Sequence, residues 1–211
     1  LALDELPITS PAHDSLMAIE ATSLRAAELC RQMLAYSGKG RFAIENIRLG
    51  ALIGEMVSLL KSSLSKKAIL NLNLKEPLPT MRGDPSQIRQ VVMNLVINAS
   101  EAIGERSGVV TISTGVMECS HEYLCDVYLD ERLTEGAYVW LQIADTGCGM
   151  DAETQRRIFE PFFTTKFTGR GLGLSAVLGI VRGHRGTLKV YSKPGKGTTI
   201  KVLFPIATED T

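Results

Sequence analysis

Neither sign of charge is in excess: 23 lysines and arginines face 23 aspartates and glutamates. A chain held mainly by the phosphates of a nucleic acid needs a clustered basic surplus, so no nucleic-acid partner is expected. Charge-driven attachment to a membrane surface lacks support for the same reason. Long apolar runs are missing as well, and nothing resembles a secretory leader. Four cysteines, Cys30, Cys119, Cys125 and Cys148, include no CxxC pair and read as free thiols in a reducing cytoplasm. Cys119, His121 and Cys125 come near a metal-ligand spacing, but they match no zinc pattern and no fourth ligand is evident. Internal repeats and low-complexity tracts are absent too. What remains is a 211-residue chain, 45% hydrophobic, long enough for one good core and a helical appendage.

From about Asp14 to Ser37 apolar and small residues recur at helical spacing (Leu16, Ile19, Ala26, Cys30, Met33), a stripe that needs a partner helix. Ser37-Gly38-Lys39-Gly40 breaks it, which favours an arm pairing with other helices over packing on the chain's own core. Beyond the break, Phe42 to Ile47 reads as a short strand, Leu49 to Leu64 as an amphipathic helix, Ala68 to Leu74 as an alternating strand and Thr80 to Gly83 as an edge strand. Asp84-Pro85 supplies an N-cap and a first-turn proline for a helix running to Ile103 and ended by Gly104. Val109 to Met117 and Tyr138 to Ala144 are β in composition, joined by a polar stretch of no clear structure. A helix from Gly173 to about Gly183 and strands Thr187 to Tyr191 and Thr198 to Phe204 complete the pattern. Helices and antiparallel-looking strands segregate, so the expected class is α+β, a two-layer α/β sandwich preceded by a helical arm.

Within that pattern the chemistry-bearing residues are ordered. Asn94 and Asn98 lie four apart on one helix face, where two amides either bridge neighbouring backbone or offer hard neutral oxygens to Mg²⁺. Asp145 ends an apolar strand and enters the turn Thr146-Gly147-Cys148-Gly149-Met150; a carboxylate there suits the exocyclic amine of a planar base. Gly169, Gly171 and Gly173 precede a helix, whose unpaired N–H groups and positive dipole end favour phosphate. Between the clusters, Phe159, Phe162 and Phe163 read as latches for a mobile segment. Lys166 and Arg170 are the cations nearest any phosphate, although solvated surface positions explain both equally well. Gly195 to Thr199 reads as a hairpin turn, with Thr198 in reach of a base directly or through water.

Asn94 and Asn98 on a helix, Asp145-x-Gly147-x-Gly149, Phe159 to Phe163, Gly169-x-Gly171-x-Gly173 and Gly195-x-Gly197-Thr198 together resemble the catalytic domain of two-component sensor histidine kinases. The resemblance covers about Phe42 to Pro205. It implies the Bergerat-type ATP-binding fold shared with type II topoisomerases, a heat-shock chaperone and mismatch-repair ATPases. It divides the chain into residues 1–40, the C-terminal part of a dimerisation and histidine-phosphotransfer hairpin, and residues 41–211, the ATP-binding catalytic domain. The implied cofactors are ATP and Mg²⁺. The implied partners are a response-regulator receiver domain and, through the hairpin, a second copy of the full protein, which is itself cytoplasmic or membrane-associated. By the same resemblance Asn98 coordinates Mg²⁺, Asp145 reads the adenine amino group with Gly147, Gly149 and Thr198 nearby, and Thr165, Lys166 and Gly169 to Leu174, Leu172 included, surround the phosphates under a short lid.

Two positions depart from the family pattern. Glu101 stands where some kinases carry a basic residue that touches phosphate, and Arg170 stands where threonine is common. Hydrolysing relatives carry a water-activating glutamate at the position of Asn94, and an amide cannot take a proton, so Asn94 is expected to position rather than to act as a base. Transfer to a histidine is therefore favoured over the alternatives, a nucleotide-hydrolysing clamp or a regulator without transfer activity. His13-Asp14 has the look of a phosphoacceptor. There is room for only one helix between it and the catalytic domain, however, so the acceptor is expected upstream, outside this chain. His121 and His184 read as surface or structural residues.

Overall fold

A computed structural model of the chain describes residues 43–125, 133–166, 169 and 171–207, together with 10, 12–17, 19 and 23. Residues 12–17 are helical, and Ser10 opens that helix: its carbonyl accepts from His13 N (2.9 Å) and its Oγ from Ala12 N (3.3 Å). His13 thus lies in a first helical turn. Most of the expected arm to Ser37 falls outside the described residues.

Two strands, β1 (Glu45–Ile47) and β3 (Met81–Gly83), pair antiparallel as a small sheet of their own. Five others form the main sheet in the order β2 (Ala68–Leu74), β4 (Gly108–Cys119), β5 (Gly136–Asp145), β7 (Gly197–Pro205), β6 (Thr187–Lys193). All its pairings are antiparallel except β2 with β4, which run parallel, with Leu70 opposite Val110 and Leu72 opposite Ile112. The expectation of antiparallel strands fails at this edge for a topological reason. Parallel neighbours need a long crossover, and here it passes through β3 and the helix α2 (Pro85–Ile103).

Helices α1 (Leu49–Ser63), α2 and α5 (Gly173–Gly183) cover one face of the sheet. Alternation decides which strand residues meet them: Val110, Ile112 and Thr114 of β4, Leu141 and Ile143 of β5, and Val202 and Phe204 of β7 are all buried. On α2 the buried set is Ile88, Val91, Val92, Leu95, Val96, Ala99 and Ile103. Each large side chain in it contributes about 1.5–3 kcal/mol by leaving water. That stripe fixes the rotation of α2, and so turns Asn94 and Asn98 away from the centre of the core, each only half-buried.

The polar stretch after β4 contains a short helix, α3 (His121–Cys125), that was not legible in the sequence. Its Leu124 joins Cys119, Tyr138 and Leu203 in a second, smaller cluster, with Trp140 and Tyr123 packed against it. The indole of Trp140 lies across Gly115, where a Cβ would come within 2.4 Å of the ring, and Lys201 and Lys189 sit over Trp140 and Tyr123 at 4.6 and 3.8 Å. A further helix unforeseen in the sequence, α4 (Ala152–Arg157), is capped by Asp151, whose side chain accepts from Thr154 N at 2.7 Å.

Candidate nucleotide site

Asp145 is the last residue of β5, and the turn after it is held by three hydrogen bonds. Cys148 N donates to Ala102 O at 3.0 Å, tying the turn to the last residues of α2. Gly195 N donates to Cys148 O at 2.6 Å, and Met150 N donates to Ser192 Oγ at 2.9 Å, tying it to the hairpin between β6 and β7. The approach is too close for a side chain at two points: a Cβ on Gly149 (φ 65°) would stand 1.9 Å from Lys193 O, and one on Gly197 (φ 84°) 1.9 Å from Asp145 O.

The half-buried Asp145 carboxylate uses one oxygen for this scaffold. Oδ1 accepts from Gly147 N at 2.7 Å and from Thr198 N at 3.2 Å, and Oδ2 takes part in neither bond. Burial raises the pKa of the carboxyl above its ordinary value, partly offset by those two amides and by the charge of Lys166. The Thr198 hydroxyl meets Ser192 Oγ at 2.9 Å; because Ser192 donates its own proton to Gly197 O (3.0 Å), the Thr198 proton points to Ser192. Ser192, which also receives Met150 N, therefore knits the strand-end turn to the hairpin.

Across from this turn, Asn94, Asn98 and Glu101 follow one another at i, i+4 and i+7 on a single face of α2. Asn94 Nδ2 donates to Gly173 O at 3.2 Å, which sets the first residue of α5 against that face. A Cβ on Gly173 would lie 3.5 Å from Asn98 Nδ2, in ordinary contact. The N-cap residue of α5, Leu172, offers no side-chain bond to the first-turn amides, so this positive helix end is left for another acceptor. Lys166 Nζ donates to Glu101 Oε2, which brings the segment before α5 over the end of α2. The loop itself is closed by Phe162 N donating to Gly171 O at 2.9 Å. Three walls thus surround one cleft: the turn after β5, the polar face of α2 and the segment leading into α5. A cavity of about 480 Å³ near Arg48, Glu55, Pro85 and Arg89 lies at the other end of α2 and contains none of these groups.

A profile described as histidine kinase-, DNA gyrase B- and HSP90-like ATPase matches residues 83–208, more than half of the chain. The chain belongs to this family. It is 35% identical over 204 residues to the sensor kinase CckA of Brucella abortus (strain 2308) and 29% identical over 204 residues to the sensor histidine kinase ZraS of Escherichia coli (strain K12). Each alignment takes in 96% of this chain but only 21% and 40% of those longer proteins. Among solved structures, the nucleotide-free catalytic domain of the histidine kinase ThkA is 27% identical and superposes with a TM-score of 0.60 over 79% of this chain and 97% of its own. Full-length ShkA, solved in complex with AMPPNP, shares the fold with a TM-score of 0.71 at 22% identity, over 99% of this chain and 42% of that one. The described domain is an ATPase-type domain similar to the catalytic region of sensor histidine kinases.

In this ATPase-family domain not every residue expected at the site offers a side chain to it. Leu172 is buried and Leu174 packs against the core, so what they present to the cleft is main chain. Gly147, Gly149, Gly171 and Gly173 stand where their neighbours' backbone or amides pass. Thr165 is exposed, Lys166 and Gly169 are half-buried, and Arg170 lies outside the described residues. The reading of three phenylalanine latches is corrected: Phe159 is a core residue, 5% exposed, and Phe163 is half-buried beneath the Arg157 guanidinium at 4.3 Å. Phe162 alone is displayed, 60% exposed, with a left-handed φ of 68°. Ser192 and the Glu101–Lys166 pair were missed by sequence reasoning, since both acquire their meaning from partners more than forty residues or a strand turn away.

Proposed function

We propose that this domain binds ATP with Mg²⁺ and, in the longer protein of which such domains are part, passes the γ-phosphoryl group to a histidine upstream of this chain. The observation that carries the reading is the Asp145 carboxylate. It is desolvated, fixed through Oδ1 by two backbone amides, and keeps Oδ2 for an incoming donor such as the adenine amino group. Thr198, its proton given to Ser192, keeps acceptor capacity toward the same base or a bridging water.

The phosphates then run toward the N-terminus of α5 and its unpaired amides, with Lys166 as a cation at that end and Thr165, Gly169 and Arg170 in the same segment. The Asn98 amide oxygen, half-buried on the adjoining face of α2, suits a Mg²⁺ that keeps most of its water. When bound, the metal neutralises charge on the phosphate oxygens. Asn94, committed to Gly173 O, holds α5 at the distance the phosphates need and takes no proton. In such a transfer the protein's task is alignment and charge compensation. The reaction is completed by a docked histidine, and the product is relayed to the aspartate of a response-regulator receiver domain. Dimerisation through the hairpin of residues 1–40 belongs to the same reading.

Calorimetry with Mg·ADP tests the pocket. Asp145→Ala is expected to weaken binding at least about tenfold, the scale of one hydrogen bond to a charged group, with thermal unfolding still cooperative. Unchanged affinity in that variant, or no binding by the wild-type chain, sinks the assignment.

A further inference from the structure

We infer that Glu101 sets how tightly nucleotide is held, by competing with the phosphates for Lys166. The inference rests on the nucleotide reading above and goes one step beyond it. The Lys166 ammonium donates to Glu101 Oε2, although the two side chains are 36% and 51% exposed. Glu101 reaches this pairing because it continues the face that carries Asn94 and Asn98, one turn beyond Asn98. Lys166 reaches it because Thr164 Oγ1 accepts its main-chain N–H at 3.1 Å and its carbonyl accepts from Gly169 N at 3.2 Å, a local turn that aims the side chain at α2. The same ammonium acts on the Asp145 carboxylate across the cleft. Arg157, in contrast, is spent on Glu160 (3.1 Å) and on the Phe163 ring.

A polyphosphate entering this cleft asks for the cation that the carboxylate already holds. Binding therefore exchanges one anion for another at Lys166 and leaves Glu101 charged beside the phosphates. Both effects weaken binding. An exposed pair of this type contributes no more than about a fivefold change in an equilibrium, and the repulsion adds to it. Glu101 thereby acts as a specificity-determining residue that favours release of nucleotide, and its action is confined to ligands with phosphate.

Titration calorimetry of the 211-residue chain with Mg·ADP and with adenosine, on Glu101→Gln, Lys166→Met, Lys166→Arg and the two double variants, tests this. Glu101→Gln is expected to tighten Mg·ADP roughly three- to tenfold and to leave adenosine unmoved. In the Lys166→Met background most of that gain disappears, because no cation remains to compete for, whereas Lys166→Arg preserves it. Weaker Mg·ADP binding by Glu101→Gln, an equal gain with and without the cation, or a matching change for adenosine overturns the inference. Wild-type protein that ignores Mg·ADP altogether fails the nucleotide reading itself; wild-type binding with Glu101→Gln unmoved fails this inference alone.

Discussion

His184 is the residue on which two distant parts of the fold meet. It follows α5 directly, 6% exposed, with its ring edge-on to Phe204 at 6.2 Å. Its Nε2 accepts from Asp84 N at 2.9 Å, which requires the neutral ring, and Nδ1 faces Ile180 O at 2.7 Å as donor. Burial pushes the imidazole pKa below its ordinary 6.5, against smaller raising effects from Ile180 and Asp84. The unfolded chain therefore binds more protons than the folded one below about 6.5, so this contribution is complete above that pH and is lost as pH falls toward the lower folded value. Asp145, whose folded pKa is raised, acts in the opposite sense, so the His184 effect is read as a difference between proteins. Urea midpoints are expected to show His184→Ala less stable by about 2–3 kcal/mol at pH 7.5, from the cavity and the orphaned Asp84 N–H. The gap between wild type and variant narrows at pH 5.5. A gap that does not change with pH contradicts the neutral-ring assignment.

Elements begin and end where single residues permit, and α2 is the clearest case. Asp84 Oδ1 accepts from Ser86 N (2.9 Å) and Gln87 N (3.3 Å), while Oδ2 accepts from Ala43 N (3.0 Å), so one carboxylate caps the helix and pins the chain ahead of β1. Burial opposes ionisation of this group, but the bonds from Ser86, Ala43 and Gln87 outweigh it and lower the pKa. Asp84→Ala is expected to cost about 2 kcal/mol, the upper end for a cap, because the Ala43 link goes with it; Asp84→Asn recovers part of this in chemical denaturation. Such a cap is local chemistry, which is why Asp84-Pro85 announced α2 in the sequence and Gly173 announced α5. The parallel pairing of β2 with β4 is not local: its register joins Ala68 to Gly108, and neither strand's composition says which neighbour it takes. The same divide runs through the site. Asn98, Asp145 and the glycine clusters stand out in the sequence because each sits in a compact pattern, and their proposed roles rest on it. Ser192 and the pairing of Glu101 with Lys166 were not legible there: Glu101 stood out only as a departure from the family pattern, and neither residue shows its partners until the fold gives them Met150, Thr198 and Lys166. Leu172 and Leu174 err the other way: they stand in the cluster by sequence, but their side chains serve the core.

At the scale of the whole molecule, the two-layer domain gathers a cleft from residues between Asn94 and Thr198, and among the described residues of its walls there is no histidine to receive the γ-phosphoryl group in the proposed transfer. The chain has three histidines. His184 is buried behind α5, on the Asp84 end of α2 rather than the Asn98 end. His121 begins α3, which packs with Tyr138 and Leu203 in the second cluster, apart from the main core that carries the site. His13 stands in the first turn of a helix opened by Ser10, three residues past a cap. On the reading proposed above, the acceptor stands on the first helix of a hairpin, and between His13 and the catalytic domain there is room for only one helix. Incubation with γ-labelled Mg·ATP is therefore expected to leave no acid-labile phosphate on the 211-residue chain, even where calorimetry registers binding. Adding a longer version of the protein that contains the upstream helix, with its own cleft disabled by Asn98→Ala, is expected to restore label on the longer partner, because alignment is what the isolated domain lacks. Label that remains on this chain and is lost in His13→Gln would move the acceptor to His13 and reverse the division of the chain at residue 40.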